Sequence, residues 1–108
     1  MYSEPQLIET TDELNSALSK LSDAEFIAID TEFMRENTYY PKLCLVQLSA
    51  AGTTLCVDPL VPDIDLSALY NLMQNPQILK VFHAGRQDLE IFVHLTGQVP
   101  FPIYDTQI

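Results

Sequence analysis

The fold follows from the stretch Phe26-Ile27-Ala28-Ile29-Asp30-Thr31-Glu32-Phe33. An unbroken apolar run that ends on an aspartate is typical of a strand covered on both faces of a sheet. In an extended chain, residues two apart point to the same face, so Asp30 and Glu32 project together while Thr31 points away. Two carboxylates this close repel each other unless a cation or a shared proton lies between them. Mg²⁺ suits such a pair because it prefers oxygen ligands. The alternative is a pair of solvated charges at a strand end.

Hydrophobic periodicity on both sides of this stretch predicts alternating strands and helices. We predict further strands at 6–9, 43–48, 54–57, 78–82 and 103–104, and helices at 11–21, 65–73 and 86–95. Thr10 or Thr11 is the expected N-cap of the first helix, Asp65 caps the second, and Gly97 closes the third. A short link containing Gly52 predicts an antiparallel hairpin. This order predicts an α/β fold with a mixed sheet flanked by helices.

A third carboxylate, Asp88, lies in the first turn of the last predicted helix. The helix dipole favours an aspartate there without any function. In the functional interpretation, the sheet brings Asp88 beside Asp30 and Glu32 as a third metal ligand. His83 directly follows the strand at 78–82, where it either contacts a phosphate, orients a ligand or packs near the site.

Two basic residues, Arg35 and Lys42, flank the segment Tyr39-Tyr40-Pro41. Aromatic rings stack on bases and cations attract phosphates, so this pattern suits a strand of nucleic acid. Paired tyrosines before a proline are equally typical of ordinary loop packing.

The charge balance limits the classes of function. Five Lys and Arg stand against fifteen Asp and Glu among 108 residues, a net charge of −10. A simple nucleic-acid-binding module would normally have a basic face. A metal-dependent nuclease is not excluded, because carboxylates hold cations that in turn meet the phosphate.

No apolar run approaches the roughly 20 residues of a membrane span, so we expect a soluble, cytoplasmic protein. Two cysteines without CxxC spacing are expected to be buried thiols.

Three blocks of the sequence carry a family resemblance: residues 29–33, 38–48 and 82–90. Together with residues 105–108, they closely resemble ribonuclease D. That family belongs to the DEDD superfamily of 3′-5′ exonucleases, which is named for four acidic metal ligands. The resemblance runs over almost the whole chain, and the combined blocks are far more specific than Asp-x-Glu alone.

The resemblance implies a ribonuclease H-like exonuclease core in which Asp30, Glu32 and Asp88 are catalytic metal ligands. In such enzymes two Mg²⁺ or Mn²⁺ ions lie roughly 3.5–4 Å apart, one activating a water and the other stabilising the leaving oxygen. The expected reaction releases 5′-mononucleotides from RNA 3′ ends, such as those of tRNA precursors. Phe33 resembles the family's apolar residue that packs against the terminal base. The other expected substrate contacts are Arg35, Tyr39 and His83.

The end of the chain departs from the family's pattern. The third motif, a Tyr followed by the last Asp, and the C-terminal helical domains that bind RNA would lie beyond Ile108. We therefore expect residues 1–108 to be the N-terminal part of an exonuclease domain, inactive or weakly active alone. We also expect exposed apolar sheet to cause association of the isolated chain.

Three alternatives stay open at this point. A DNA-proofreading exonuclease uses the same acidic pattern, although residues 38–48 favour ribonuclease D. A non-catalytic scaffold with the exonuclease fold would bind RNA or a protein partner. A phosphohydrolase with Asp30 as its nucleophile would need a second Asp where Glu32 stands.

Overall fold

The computed structural model of the protein describes residues 4–34, 42–50, 52–83 and 85–107. Six strands and three helices alternate along these residues, and each corresponds to a predicted element with bounds that differ by a few residues. In chain order they are β1 (Gln6–Ile8), α1 (Thr11–Ser19), β2 (Phe26–Met34), β3 (Lys42–Ala50), β4 (Thr53–Val57), α2 (Ser67–Met73), β5 (Leu79–Phe82), α3 (Arg86–Thr96) and β6 (Ile103–Asp105). The predicted mixed α/β arrangement is therefore confirmed.

One mixed sheet contains all six strands in the order β1-β4-β3-β2-β5-β6. The strand β3 pairs antiparallel with β2 on one side and with β4 on the other, and the predicted hairpin joins β3 to β4. Gly52 has φ 80° in its turn, a conformation that glycine adopts without strain. The strands β5 and β6 run parallel to β2 on its other side. The apolar stretch at 26–33 thus lies at the centre of the sheet.

A single hydrophobic core lies between the helices and one face of the sheet. Alternate residues of β2 are buried, and they cluster with buried residues of all three helices, among them Leu14, Leu69 and Phe92. The intervening residues of β2 are exposed, and Phe26 retains 56% of its accessible surface. The expectation that both faces are covered is wrong for the described part of the chain. A continuous apolar run does not by itself reveal whether a second layer packs on the sheet.

The helix ends follow local hydrogen bonding. Thr10 caps α1, because its hydroxyl accepts the N–H of Glu13 and donates to the Glu13 carboxylate, both at 3.1 Å. The prediction that Asp65 caps the second helix is wrong. The helix begins at Ser67, whose N–H and hydroxyl both donate to Asp65 Oδ1, and Leu66 occupies the N-cap position. The turn that Asp65 stabilises therefore lies just before the helix. Gly97 ends α3 with φ 75°, as predicted.

Lys80 of β5 is fully buried beneath the sheet. Its ammonium donates to the carbonyl oxygens of Asn75 at 2.5 Å and Phe101 at 2.7 Å. Burial lowers the pKa of Lys80 to about 8, because the charged form loses its hydration. The side chain thereby links the loop after α2 to the loop that leads into β6.

Cys44 and Cys56 are free and half-buried, so they are less enclosed than expected. Over the part of the chain that the structure describes, no helix is both long enough and apolar enough to span a membrane.

Candidate active site

The two acids of the central strand lie together on the open face of the sheet. Asp30 and Glu32 are both exposed, whereas Thr31 between them is buried on the helix side, as the period of the strand predicts. The pairing of β2 with β3 shifts register between Glu32 and Phe33. Such a bulge bends a strand and redirects the side chains beside it.

Asp88 is held against this strand from the helix side. It lies in the first turn of α3, is only 7% exposed, and its Oδ1 accepts a hydrogen bond from the Thr31 hydroxyl. The N–H of Thr31 donates to Asp30 Oδ1 at 3.0 Å. One residue, Thr31, therefore contacts both carboxylates and fixes their relative position.

The electrostatics of Asp88 reflect this crowding. Burial raises the pKa of the Asp88 carboxyl above its ordinary value, and the negative charge of Asp30 raises it further. Hydrogen bonds from Thr31 act in the opposite direction, because they stabilise the carboxylate. A divalent cation would also stabilise the charged form by offsetting both the burial and the repulsion.

The start of α3 comes close to the sheet because its N-cap residue is a glycine. A Cβ on Gly85 would overlap the Cβ of Phe82 and lie 2.8 Å from its Cγ. The N–H of Gly85 also donates to Asp105 Oδ2 at 2.8 Å, which ties the helix start to the end of β6. These two contacts bring the first turn of α3, and with it Asp88, to the middle of β2, where Thr31 lies.

The strands β2, β5 and β6 are parallel neighbours, and β5 and β6 end beside the middle of β2, which continues to Met34. Asp30 is the middle residue of β2, just past its last pair with β5; His83 directly follows β5, and Thr106 directly follows β6. A cavity of about 390 Å³ opens here and is lined by all three residues. His83 Nδ1 lies 2.8 Å from the Thr106 hydroxyl. Ligands of open α/β sheets commonly bind at the carboxyl ends of parallel strands.

From the sequence, residues 105–108 were named only as part of the family resemblance, and Asp105 and Thr106 were not predicted to lie at the site. A signal for their place at the site was nevertheless present. Both follow the last predicted strand, just as His83 follows the strand before it, and parallel neighbours align such positions.

The remaining predicted site residues are less closely assembled. Phe33 is half-buried and packs against the hydrophobic core. Arg35 and Tyr39 lie outside the described residues. Across residues 4–34, 42–50, 52–83 and 85–107, no three His, Cys, Asp or Glu side chains form a group that is able to hold a metal ion. The structure thus brings Asp30 and Asp88 together but does not complete a three-ligand cluster with Glu32.

The chemistry of the donors still fits a divalent cation. All three predicted ligands offer carboxylate oxygens, the preferred donors of Mg²⁺ and Mn²⁺. The mutual repulsion of Asp30 and Asp88 is the kind of interaction that a bound cation converts into attraction.

Comparison with known sequences gives a consistent result. The profile of a family described as 3′-5′ exonuclease matches residues 5–108. Ribonuclease D from Bartonella henselae is 50% identical over 103 residues, which are 95% of this chain and 25% of that protein. Ribonuclease D from Zymomonas mobilis is 53% identical over 103 residues, or 94% of this chain and 26% of that protein. The chain therefore spans about a quarter of the length of the curated relatives it matches.

Solved structures share the fold. The crystal structure of Escherichia coli RNase D, described as an exoribonuclease involved in structured RNA processing, matches with a TM-score of 0.90 and 42% identity over 97% of this chain and 28% of that one. Trypanosoma brucei RNase D in complex with RNA U12 matches with a TM-score of 0.83 over 96% of this chain and 38% of that one; its identity of 24% supports the fold alone. The expected ribonuclease H-like exonuclease fold is confirmed.

Proposed function

This chain belongs to the 3′-5′ exonuclease family, and from this premise we propose that it is the N-terminal part of the exonuclease domain of a metal-dependent 3′-5′ exoribonuclease of the ribonuclease D type. The observation that carries the proposal is the link made by Thr31, which contacts Asp30 and Asp88 at once. An arrangement that holds two repelling carboxylates together costs stability unless a ligand uses them.

In this proposal Asp30, Glu32 and Asp88 hold Mg²⁺ or Mn²⁺. When bound, the metal would activate a water molecule and neutralise charge that develops on the phosphate. Thr31 keeps Asp88 against the strand through the hydrogen bond from its hydroxyl to Asp88 Oδ1. Glu32, exposed on the same face as Asp30, reaches the substrate side of the sheet.

The proposed substrate is the 3′ end of an RNA, with 5′-mononucleotides as products. The curated relatives support this, since they are named ribonuclease D. Precursors of tRNA are the substrates that we would test first. Phe33 and Tyr39 would contact bases, and Arg35 and His83 would contact the sugar-phosphate chain. The last metal ligand of the family pattern would come from outside residues 1–108.

The test uses a protein that carries this chain within a complete exonuclease domain. Incubated with Mg²⁺ or Mn²⁺, it should shorten a 5′-labelled RNA stepwise from its 3′ end, and chelation should stop the reaction. Asp30→Asn should lower kcat/KM by about 100-fold or more, since metal-held charge stabilisation is worth several kcal/mol. The matched control is Asp23→Asn, because Asp23 is an exposed acid in the turn before β2. Equal activity of the two variants would exclude Asp30 from the reaction.

A second candidate function is a non-catalytic scaffold that binds RNA or protein. It is favoured by one observation: the described acids do not form a ready three-ligand cluster. A scaffold should bind RNA equally well with and without divalent cations. It should also show no difference in thermal stability between the wild type and Asp30→Asn when Mn²⁺ is added.

A further inference from the structure

A chain of hydrogen bonds fixes the imidazole of His83 at the edge of the sheet. His83 Nδ1 lies 2.8 Å from the Thr106 hydroxyl, which is 3.3 Å from the carbonyl oxygen of Phe82 and donates to it. A hydroxyl has only one hydrogen to donate. The Thr106 hydroxyl can thus accept from Nδ1 while it donates to the carbonyl oxygen of Phe82, and in this arrangement Nδ1 carries a proton.

This protonation leaves Nε2 as the polar atom that the ring offers to the cavity. In a neutral imidazole the second nitrogen is a hydrogen-bond acceptor, and the bond made by the first nitrogen decides this assignment. His83 is exposed and lines the cavity together with Asp30. The chain from Phe82 through Thr106 therefore presents an acceptor to whatever occupies this space.

The lining of the cavity favours an uncharged polar group at this acceptor. Gln47 and Ser49 of β3, on the other side of β2 from His83, line the same space. Among the described lining residues there is no lysine or arginine, so the cavity holds no permanent cation to bind a phosphate directly. Besides these neutral side chains the lining holds one carboxylate, Asp30, which repels a phosphate but can accept a hydrogen bond. A hydroxyl group is therefore the donor that suits this surface.

We propose that Thr106 is a positioning residue that orients His83, so that Nε2 accepts a hydrogen bond from the 2′-hydroxyl of a nucleotide in this cavity. This inference rests on the proposed function. Within an RNA chain the 2′-hydroxyl is the sugar hydroxyl that every nucleotide retains and that DNA lacks. The contact therefore favours RNA over DNA, and Thr106 contributes to it without touching the substrate.

The test compares RNA oligomers whose last two nucleotides carry either ribose or 2′-deoxyribose. The enzyme is the protein that carries this chain in a complete exonuclease domain, as wild type, Thr106→Val, Thr106→Ser and the control Thr53→Val. Thr53 is in β4 and does not line the cavity. Thr106→Val should lower kcat/KM for the ribose substrate by about tenfold, mainly through KM, and leave the deoxyribose substrate unchanged. Thr106→Ser, which keeps the hydroxyl, should behave as wild type.

The outcomes separate this inference from the proposed function. If the wild type does not degrade RNA with Mg²⁺ or Mn²⁺, the proposed function fails. If the wild type is active but Thr106→Val affects both substrates equally, or neither, the positioning role of Thr106 is wrong. Should Thr106→Val unfold, His83→Phe reports on the same contact. This variant keeps a ring of similar shape without nitrogens, and it must also lose the preference for ribose if the inference holds.

Discussion

The hydroxyl of Thr31 donates a hydrogen bond to the carboxylate of Asp88, across 57 residues of sequence. This contact joins the residue between two exposed acids to the first turn of a helix on the other side of the sheet. It couples the two halves of the candidate site through the body of the central strand.

The first prediction concerns this contact. Thr31→Val keeps the shape of the side chain but removes the donor, which leaves a buried carboxylate with a lost hydrogen bond. Bonds to charged groups are worth about 1.5–3 kcal/mol, so the affinity for Mn²⁺ should fall roughly tenfold or more. Isothermal titration with Mn²⁺ measures this directly. Thr31→Ser is the matched control and should retain most of the affinity; an equal loss in both variants would mean that packing, not the hydrogen bond, holds Asp88.

The second prediction concerns the charge of Asp88. Asp88→Asn keeps an oxygen that accepts from Thr31 but removes a buried charge that Asp30 repels. Without divalent cations the variant should therefore melt a few degrees higher than the wild type. Added Mn²⁺ should stabilise the wild type and not the variant, because binding to the folded state raises its stability. Thermal melts with EDTA and with Mn²⁺ measure both effects, and a lower melting temperature in EDTA would contradict the argument.

The third prediction concerns the close approach at Gly85. In Gly85→Ala the new methyl group overlaps Phe82, so the start of α3 must move away from the sheet. Overpacking of this kind costs about 1–3 kcal/mol. We expect a lower free energy of unfolding in urea and a loss of activity, because Asp88 moves with the helix start.

A glycine at the other end of the same helix provides the comparison for Gly85. Gly97 has φ 75° and no neighbour within 4 Å of a Cβ, and asparagine tolerates this conformation. Gly97→Asn should therefore cost little stability and leave activity intact. If both variants lose activity to the same extent, the close contact with Phe82 is not the cause.

The fourth prediction is a pH dependence that arises from Lys80. Its pKa is lowered from 10.5 to about 8 in the folded protein, so between these values the unfolded chain binds more protons than the folded chain. Stability should therefore rise as the pH increases from about 8 towards 10. Burial raises the pKa of Tyr70, which opposes this trend above pH 10, so the measurement belongs below that value.

Urea unfolding at several pH values tests this dependence. The free energy of unfolding of the wild type should rise with pH relative to that of Lys80→Met, which lacks the titrating group. The variant itself should be less stable at every pH, because the carbonyl oxygens of Asn75 and Phe101 lose their donor. Parallel curves for the two proteins would show that Lys80 has the same pKa in both states.

The sequence predicted the order of strands and helices because these depend on local patterns. The alternation around Asp30 and Glu32 placed both acids on one face, and the apolar periodicity of α3 placed Asp88 in its first turn. These features depend on neighbours that are a few residues apart. Local spacing was therefore sufficient to find them.

The sequence did not predict features that depend on long-range packing. The contact of Thr31 with Asp88 and that of Thr106 with His83 each require the order of strands in the sheet, which no local pattern encodes. The open face of β2 was also missed, since a continuous apolar run looks the same with one covering layer or two. Lys80 was not singled out because a lysine within a strand gives no sign of burial.

The order of the strands has one more consequence, for how copies of this protein can meet. The two outermost strands, β1 and β6, are three residues each and are the shortest of the sheet. So short an edge offers few free backbone groups, which disfavours growth of the sheet by edge-to-edge addition of another chain. Association of the isolated chain should instead take place face to face, through the side of β2 that displays Phe26 and Ala28. Once the open faces of two copies cover each other, the assembly ends as a dimer, whereas edge-to-edge addition of strands would continue into fibres.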